Sequence, residues 1–460
     1  MAGERKPRFL PALVILLIIL RWCLGTLPGY EIDLLTYKQW ALTAGGEGIH
    51  TIYDHRPNSP YPQYDYPPLY AYLLAPIGQF YCTIASPQEP QPPSATAHYA
   101  DSPTFSLLVK LPAIACDFLI ALLLGLLAFR FGLWPRGSWR GWLPALLFLF
   151  LPPVLIDSAY WGQPDSIHTF LLLMALTLIL VGKPELGGIS AALGCLMKPL
   201  ALPYLPLLAL ATLVGSGWRR LLTAGLAGAG TIVAGFLPFL VTGRGRDVLE
   251  RLVSDLDLMP FTSVNAHNLW WLLAPWHEAH VPVWGPITPT MIGLFLFGVV
   301  YVLILWRLWL CERSQHAGRP PIGRGPLPLS QQRHWFLATA LVAYAFFAFS
   351  THMHENHLFT ALPFLMILAG GGPRWLAVCL IGSLSIFINM ANHDVQLGNH
   401  VLRHIGGSSE FYHFILGRCL SSFEFRLANI NSILTLAILG FLLALGYRLS
   451  VQRRLPSADR

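Results

Sequence analysis

Apolar runs separated by short polar or basic stretches recur along the whole chain. Most of these runs approach the roughly 20 residues that a helix needs to cross the hydrocarbon core of a bilayer. There are about 12 of them, at residues 9–27, 105–129, 142–159, 167–181, 186–197, 200–214, 221–241, 287–310, 335–350, 358–368, 375–390 and 430–446. The pattern predicts an all-α polytopic membrane protein with about 12 transmembrane helices, forming one integral membrane domain over residues 1–460.

The composition agrees with this class. Hydrophobic residues make up 54% of the chain and charged residues only 12%, whereas a soluble domain carries about 25% charged residues. The formal net charge of +7 comes from basic residues that cluster in short loops, as the positive-inside rule expects. The charge therefore reports membrane orientation, so the predicted partners include membrane lipids and exclude nucleic acid.

The basic residues also predict how the chain is oriented in the membrane. Arg5, Lys6 and Arg8 place the N-terminus in the cytoplasm, so the chain emerges on the other side after the first run. Two short runs meet at Lys198-Pro199, where we expect a broken helix pair because proline ends a helix. Three long segments then lie outside the membrane, at residues 28–104, 242–286 and 391–429.

Five polar clusters fall on the non-cytoplasmic side in this topology. Convergence on one water-filled site at the membrane surface would explain why they share a side. The clusters are Glu31 with Asp33, residues 161–165, residues 265–268, residues 352–357 and residues 392–394.

The stretch 351–357 between two apolar runs holds three imidazoles, a carboxylate and an amide. Ionisable groups beside hydrocarbon are functional candidates, although a simple polar turn between two helices is the alternative. Neutral histidines would suit a metal and protonated ones an anion. Because no H-E-x-x-H zinc motif is present, we favour anion binding by His352 and His354 and predict no cofactor, with a divalent metal as the weaker interpretation.

Two carboxylates, Glu31 and Asp33, follow directly after the first apolar run. A carboxylate that is partly desolvated at the membrane rim has a raised pKa, in the range that suits a general base. The alternative is that both residues only solvate the start of the external segment.

The turn at 161–165 combines an aromatic ring, an amide and an acid in Trp161, Gln163 and Asp165. Such a set suits a sugar, which stacks on rings and hydrogen-bonds to amides and carboxylates. The alternative is a capped turn, in which Asp165 is the N-cap of the next helix and Trp161 anchors the chain at the interface.

Arg21 lies unexpectedly deep in the outer half of the first run. One interpretation is that its guanidinium binds a phosphate. The other is that the side chain reaches along the helix to the outer interface.

Taken together in chain order, these motifs resemble the GT-C membrane glycosyltransferases. The chain is similar to bacterial proteins related to the second GPI mannosyltransferase, and two of its motifs look like those of glucosyltransferases that use dolichyl-phosphate-glucose. The latter carry lysine after His-x-His-Glu, where this chain has Asn356. The motifs span residues 31–40, 65–69, 160–166, 198–199, 265–270 and 352–355.

The resemblance implies transfer of a hexose, with mannose favoured, from a polyprenyl-phosphate-linked donor to a lipid- or glycan-linked acceptor. Asp33 matches the family's catalytic acid and would be the general base, within the first external segment. Arg21, His352 and His354 would face the donor phosphate. The sugar or the acceptor would be held by Glu31, Trp161, Gln163, Asp165 and Glu355, with Asn265, His267 and Asn268 as second-rank candidates.

The same resemblance favours a bacterial plasma membrane with the site facing outside, and the endoplasmic-reticulum membrane is the alternative. A transporter or flippase of lipid-linked sugars is the competing function, because a discontinuous helix at Lys198-Pro199 is typical of transporters. A polymerase or ligase that moves whole oligosaccharides would share the topology.

Overall fold

A computed structural model describes residues 9–56, 62–84, 102–130, 139–254, 259–314, 332–392 and 422–452. These residues are overwhelmingly helical, which confirms the all-α prediction. Six helices are long and apolar enough to cross a membrane: Pro103–Arg130, Pro199–Ser216, Trp218–Val241, Pro289–Arg313, Pro373–Asn392 and Ser422–Gly446. A seventh crossing results if the bent pair Leu143–Phe150 and Pro152–Trp161 counts as one span. The chain is therefore a membrane protein.

Each predicted apolar run contains helix, and, among the described residues, four more helices form in the segments predicted to lie outside the membrane. In chain order they are α1 (Phe9–Gly25), α2 (Glu31–Gly46), α3 (Leu69–Ile84), α4 (Pro103–Arg130), α5 (Leu143–Phe150), α6 (Pro152–Trp161), α7 (Asp165–Leu180), α8 (Pro184–Met197), α9 (Leu205–Ser216), α10 (Trp218–Val241), α11 (Gly245–Ser254), α12 (Leu269–Leu273), α13 (Pro289–Ser314), α14 (Arg333–Phe349), α15 (Ala361–Ala369), α16 (Pro373–Asn392) and α17 (Ser422–Gln452). Short 3-10 helices precede α9 (Pro199–Tyr204) and α15 (His357–Thr360).

Helices α2 and α3, in the segment 28–104 that is predicted to be external, pack against each other at very close range. A Cβ added to Gly78 of α3 would lie 1.9 Å from the carbonyl oxygen of Ala41 in α2, so only glycine permits this approach. The interface also buries the aromatic rings of Tyr37, Trp40 and Tyr70. The helix α2 is thereby held firmly, with Asp33 in its first turn.

The apolar run at 142–159 does not form the single straight span that we expected. It is divided into α5 and α6, which meet at an angle of 62°. Leu151 between them is extended, with φ −60° and ψ 127°, as is usual for a residue before proline. The adjacent Pro152 and Pro153 thus explain the break.

The predicted break at Lys198-Pro199 is present. Helix α8 ends at Met197, and Lys198 is extended with φ −153° and ψ 135°. The chain then continues through a 3-10 turn into α9. Breaking the helix here places the Lys198 side chain between neighbouring helices.

The structure describes part of the other two segments that are predicted to be external. In 242–286, α11 and α12 form, together with a two-residue strand, β1 (Ser263–Val264). In 391–429, α16 extends to Asn392 and α17 begins at Ser422, earlier than the predicted run. Residues 393–421, which include the polar cluster at 393–394, lie outside the described part of the chain.

Candidate functional site

Asp33 is held by two hydrogen bonds from a turn far away in the sequence. Trp161 Nε1 donates to Asp33 Oδ2 at 3.0 Å, and Gln163 Nε2 donates to the same oxygen at 2.6 Å. No other described residue donates to this carboxylate, and its side chain is partly exposed. One oxygen is therefore anchored while Oδ1 remains open to an incoming group.

The local backbone explains how Trp161 and Gln163 reach Asp33. The end of α6, Leu155–Trp161, is a π-helix, a wider turn that is frequent at functional sites. Gly162 ends it in the left-handed region with φ 95°, which favours glycine. The carbonyl of Asp157 accepts from Gly162 N at 3.0 Å and from Gln163 N at 2.9 Å, and this fixes the turn.

The orientation of the Gln163 amide follows from a third contact. Tyr37 OH donates to Gln163 Oε1 at 3.1 Å, so the amide nitrogen is directed to Asp33. The Tyr37 hydroxyl also lies 3.4 Å from the hydroxyl of Tyr66, and the centroids of the two rings are 6.4 Å apart. A hydrogen-bonded chain thus connects the first external segment to the turn after α6.

Beside this turn, Asp165 joins three segments of the chain. Lys198 Nζ lies 2.7 Å from Asp165 Oδ1, and Asn356 Nδ2 donates to Oδ2 at 2.5 Å. Asp165 is fully buried, and Lys198 and Asn356 are nearly so. Both carboxylate oxygens are bonded to protein groups, so in this arrangement Asp165 orients its neighbours.

A short strand pair brings the histidine-rich stretch to the same region. The strand β2 (Met353–His354) pairs in parallel with β1, with Val264 opposite His354, and Asn265 forms a further bridge to His354. His352 and Asn265 both have positive φ angles, 62° and 63°. A histidine in the left-handed region is uncommon, and such conformations concentrate at functional sites.

Electrostatics connect the two ends of the site. The Lys198–Asp165 pair acts on the ionisation of both Asp33 and His354. Asp33 and His354, 321 positions apart in sequence, are therefore both within electrostatic reach of this ion pair.

The surroundings of Asp33 favour a base that works near neutral pH. Burial raises the pKa of Asp33 from 3.8 to about 6, although the hydrogen bond from Trp161 and the charge of Lys198 act in the opposite direction. Burial lowers the pKa of Lys198, but the Asp165 carboxylate outweighs that effect, so the net shift is upward. At pH 7, Asp33 is ionised and Lys198 is cationic.

His354 differs from the cation that we considered at the sequence level. Burial lowers its pKa to about 4, and the neighbouring Lys198 lowers it further. At neutral pH the imidazole is uncharged and acts as a hydrogen-bond donor or acceptor. The positive charge of the region comes from Lys198, which the sequence analysis treated as a helix break and as part of a motif but not as a charge.

The second-rank candidates fix the loop between β1 and α12. The Asn268 side chain caps α12 by accepting from Trp270 N and Trp271 N at 3.0 and 3.1 Å. His267 Nδ1 contacts Asn431 Nδ2 at 2.8 Å in a fully buried position. Burial lowers the pKa of His267 to about 3, so this imidazole is neutral.

Arg21 lies in a buried group of its own. Its Nε is 3.4 Å from Asp117 Oδ2, and its Nη2 donates to the carbonyl of Leu149 at 2.9 Å. Ser158 and Ser166 donate to Asp117, each at 2.5 Å. The guanidinium thus ties α1 to α4 and to the last turn of α5, and its 1% exposure separates it from solvent.

Two further candidates are only partly placed. Glu355 is buried in the loop that carries His354. Glu31 begins α2, and its side chain lies outside the described part of the structure.

The structure also draws in residues that the sequence analysis left out. Asp117 and Asp157 are fully buried carboxylates within apolar runs, and ionisable residues in such runs are themselves a signal of function. Tyr37, Tyr66 and Asn356 lie in stretches that the sequence analysis had singled out, but only the folded chain shows what each of them contacts. Among the described residues, no group of three or more histidine, cysteine, aspartate or glutamate side chains has the geometry to hold a metal.

The sequence matches no known protein family model, and no curated protein matches it either.

Proposed function

We propose that this chain is an inverting hexosyltransferase with a GT-C-type bundle of about 12 transmembrane helices. It takes a hexose, with mannose as the first candidate, from a polyprenyl-phosphate-linked donor. It places the sugar on a lipid- or glycan-linked acceptor at the non-cytoplasmic face of a bacterial plasma membrane. The observation that carries the proposal is the anchored, partly exposed Asp33 carboxylate with a pKa of about 6 beside a buried lysine.

In the proposed reaction, Asp33 Oδ1 takes the proton of an acceptor hydroxyl. The oxygen attacks the anomeric carbon from the face opposite the phosphate, and the sugar–phosphate bond breaks with its electrons going to the phosphate. The configuration inverts, and polyprenyl phosphate leaves. One carboxylate is enough because a phosphate leaving group needs little help from an acid, in contrast to the two-carboxylate scheme of glycosidases.

Negative charge grows on the phosphate as it leaves, and donors aimed at it stabilise the transition state. Lys198 supplies the positive charge in this proposal, and His354 supplies a neutral hydrogen-bond donor from the β1–β2 pair. Trp161 and Gln163 hold the base. Arg21 stabilises the helix bundle through Asp117, so we assign it no contact with the donor.

The test is transfer by the purified full chain in proteoliposomes supplied with polyprenyl-phosphate-mannose and an extract of membrane lipids. Wild-type protein is expected to release polyprenyl phosphate and to add one hexose mass to a component of the extract. Asp33→Asn is expected to lower the rate by about 10²–10⁴-fold and to retain donor binding. Glu47→Gln, at the exposed C-terminal end of the same helix, is the matched control. Near-normal transfer by Asp33→Asn would refute the role of Asp33.

Transport of an intact lipid-linked sugar is the second candidate function, and one observation favours it. The 62° break between α5 and α6 is the kind of discontinuous span that lines transporter sites. Counterflow of the intact labelled lipid, without release of sugar from the phosphate, would support transport and exclude the transferase.

A further inference from the structure

Asp117 is a buried carboxyl group that the proposed reaction does not use. It lies in the middle of the apolar helix α4 and has 0% exposure. Ser158 Oγ lies 2.5 Å from Asp117 Oδ2, and Ser166 Oγ lies 2.5 Å from Oδ1. The Ser158 hydroxyl is also 2.9 Å from the carbonyl of Val154, so the carboxyl oxygen is its nearer acceptor. One side chain of α4 therefore holds two separate points of the chain.

The two serines stand at the two ends of the turn that carries the partners of Asp33. Ser158 belongs to the π-helix at the end of α6, and Ser166 belongs to the first turn of α7. Trp161 and Gln163, which donate to Asp33 Oδ2, lie between them. Both serines are fully buried. The position of the two donors relative to α4 thus depends on the two serine contacts.

A second residue of α4 holds the middle of this turn. Lys110 precedes Asp117 by about two helical turns, which puts both residues on one face of the helix. Its Nζ donates to the carbonyl of Tyr160 at 2.6 Å and to the carbonyl of Leu27 at 2.8 Å. Leu27 lies in the connection between α1 and α2, so the same ammonium binds the turn and the segment that leads to Asp33. Helix α4 is therefore a common support for the proposed base and for the residues that hold it.

A carboxyl group within an apolar helix is costly to bury. Arg21 Nε lies 3.4 Å from Asp117 Oδ2 and offsets part of this cost, and the two serine hydroxyls provide the remaining contacts. We propose that Asp117 is a positioning residue, which fixes both ends of the turn through the two serines and thereby keeps the turn's two donors at Asp33. Its effect on transfer rests on the proposed function, whereas its effect on Asp33 does not.

The proposal has a consequence for the charge of Asp33. Burial raises the pKa of Asp33 to about 6, and the hydrogen bonds from Trp161 and Gln163 act in the opposite direction. If the turn moves away, these bonds lengthen, so the pKa of Asp33 rises further and its ionised form becomes less favourable. A contact that only joined helices would lower stability without changing Asp33.

The test compares the effect of Asp33→Asn in the wild type and in the double variant Ser158→Ala/Ser166→Ala. The serines are changed because removing Asp117 would leave the buried Arg21 without its partner, which is strongly destabilising in itself. The measurement is the apparent Tm of the full chain in detergent at pH 8, where Asp33 is ionised and Asp33→Asn removes an unfavourable charge.

The gain in Tm is expected to be about 1–2 °C larger in the double variant, because Asp33 has lost donors there. This difference is expected to disappear at pH 4, where Asp33 is protonated in the folded chain. An equal gain in both backgrounds at pH 8 would overturn the proposal. If the double variant does not fold, each single serine variant supports the same comparison.

Ser190→Ala is the matched control background. The nearly buried Ser190 hydroxyl also joins two helices, since it donates from α8 to the carbonyl of Leu171 in α7 at 2.7 Å, but it has no bond to Asp117 or to the turn. Asp33→Asn is expected to give the same gain there as in the wild type. An increased gain in this control as well would overturn the proposal, because any lost contact between helices would then have the effect.

Transfer and its pH profile provide the second measurement. In Ser158→Ala/Ser166→Ala, kcat is expected to fall by about tenfold or more with little change in the KM for the donor. The acidic limb of kcat/KM is expected to move to higher pH by about half a unit or more. A raised KM with unchanged kcat and an unmoved limb would overturn the positioning role, while an inactive wild-type protein would count against the proposed function alone.

Discussion

At the scale of single residues, the site keeps a carboxylate in surroundings that disfavour its charge. Asp33 accepts two hydrogen bonds, yet burial still raises its pKa to about 6. An acid that binds protons more tightly in the folded chain than in the unfolded one lowers stability as the pH rises. The raised pKa that suits Asp33 to accept a proton therefore lowers the stability of the folded chain, and this loss is complete above about pH 6.

This leads to a prediction that requires no substrate. Asp33→Asn is expected to raise the apparent Tm at pH 8, because an uncharged amide avoids a penalty of about 1–2 kcal/mol after allowance for partial exposure. The gain is expected to shrink between pH 6 and the ordinary value of 3.8, and to vanish below that value, since Asp33 is protonated there in both states. Thermal unfolding in detergent at pH 4 and pH 8 measures the difference in apparent Tm between Asp33→Asn and the wild type. The same increase in Tm at both pH values would contradict the raised pKa of Asp33.

The sequence alone identified part of the site at this scale. Asp33, Trp161, Gln163 and His354 were candidates because acids, amides and imidazoles next to apolar runs are conspicuous. The fold places Trp161 and Gln163 at Asp33, and Asp33 and His354 are both within electrostatic reach of one ion pair. Lys198 was overlooked as a charge, because its partner Asp165 is distant in sequence and the adjacent proline offered a simpler explanation.

At the scale of elements, the position of Asp33 depends on how closely α2 and α3 approach each other. A Cβ on Gly45 would lie 2.6 Å from the backbone nitrogen of Gln79, whereas a Cβ on Gly46 would meet nothing within 4 Å. The two neighbouring glycines therefore separate the effect of helix contact from that of helix propensity.

We expect Gly45→Ala to destabilise the protein by about 1–3 kcal/mol, because backbone atoms of α3 must move to admit the methyl group. Gly46→Ala, the matched control, is expected to be neutral or stabilising by up to about 1 kcal/mol. Thermal unfolding of both variants measures the difference, and similar behaviour would mean that the two helices are not in the close contact described.

The elements that sequence reasoning missed have two different physical causes. Helix α2 is buried around most of its circumference, so its sequence has no apolar stripe with the helical period. The break between α5 and α6 lies within an uninterrupted apolar run, where only Pro152 and Pro153 hinted at it. By contrast, long one-sided or wholly apolar runs such as α4 and α10 were predicted to within a few residues.

At the scale of the whole molecule, the orientation in the membrane rests on lysine and arginine counts. Trp284 and Trp218 are both highly exposed, at 80% and 62%, and the predicted topology puts them on opposite sides. Trp284 belongs to the segment 242–286, predicted to be external, and Trp218 is next to Arg219 and Arg220 at the start of α10, predicted to be cytoplasmic.

We expect Trp284→Cys to react with a membrane-impermeant maleimide added to intact cells. Trp218→Cys is expected to react only after the cells are permeabilised, because the predicted topology places that position in the cytoplasm. Both substitutions are made in a chain without its seven native cysteines, and the unsubstituted chain is the control. The reverse labelling pattern would place the candidate site on the cytoplasmic side and contradict an external donor.

Two hydrogen bonds couple helix α2 to the side-chain amide of Gln163. Asp33 and Tyr37 lie one turn apart on α2 and hold opposite ends of the same amide, so the helix grips Gln163 at two points. A tilt of α2 cannot release the acid end alone, since the phenol end moves with it. A displacement of α2 is therefore expected to loosen both bonds to the amide, while Trp161 also donates to the Asp33 carboxylate.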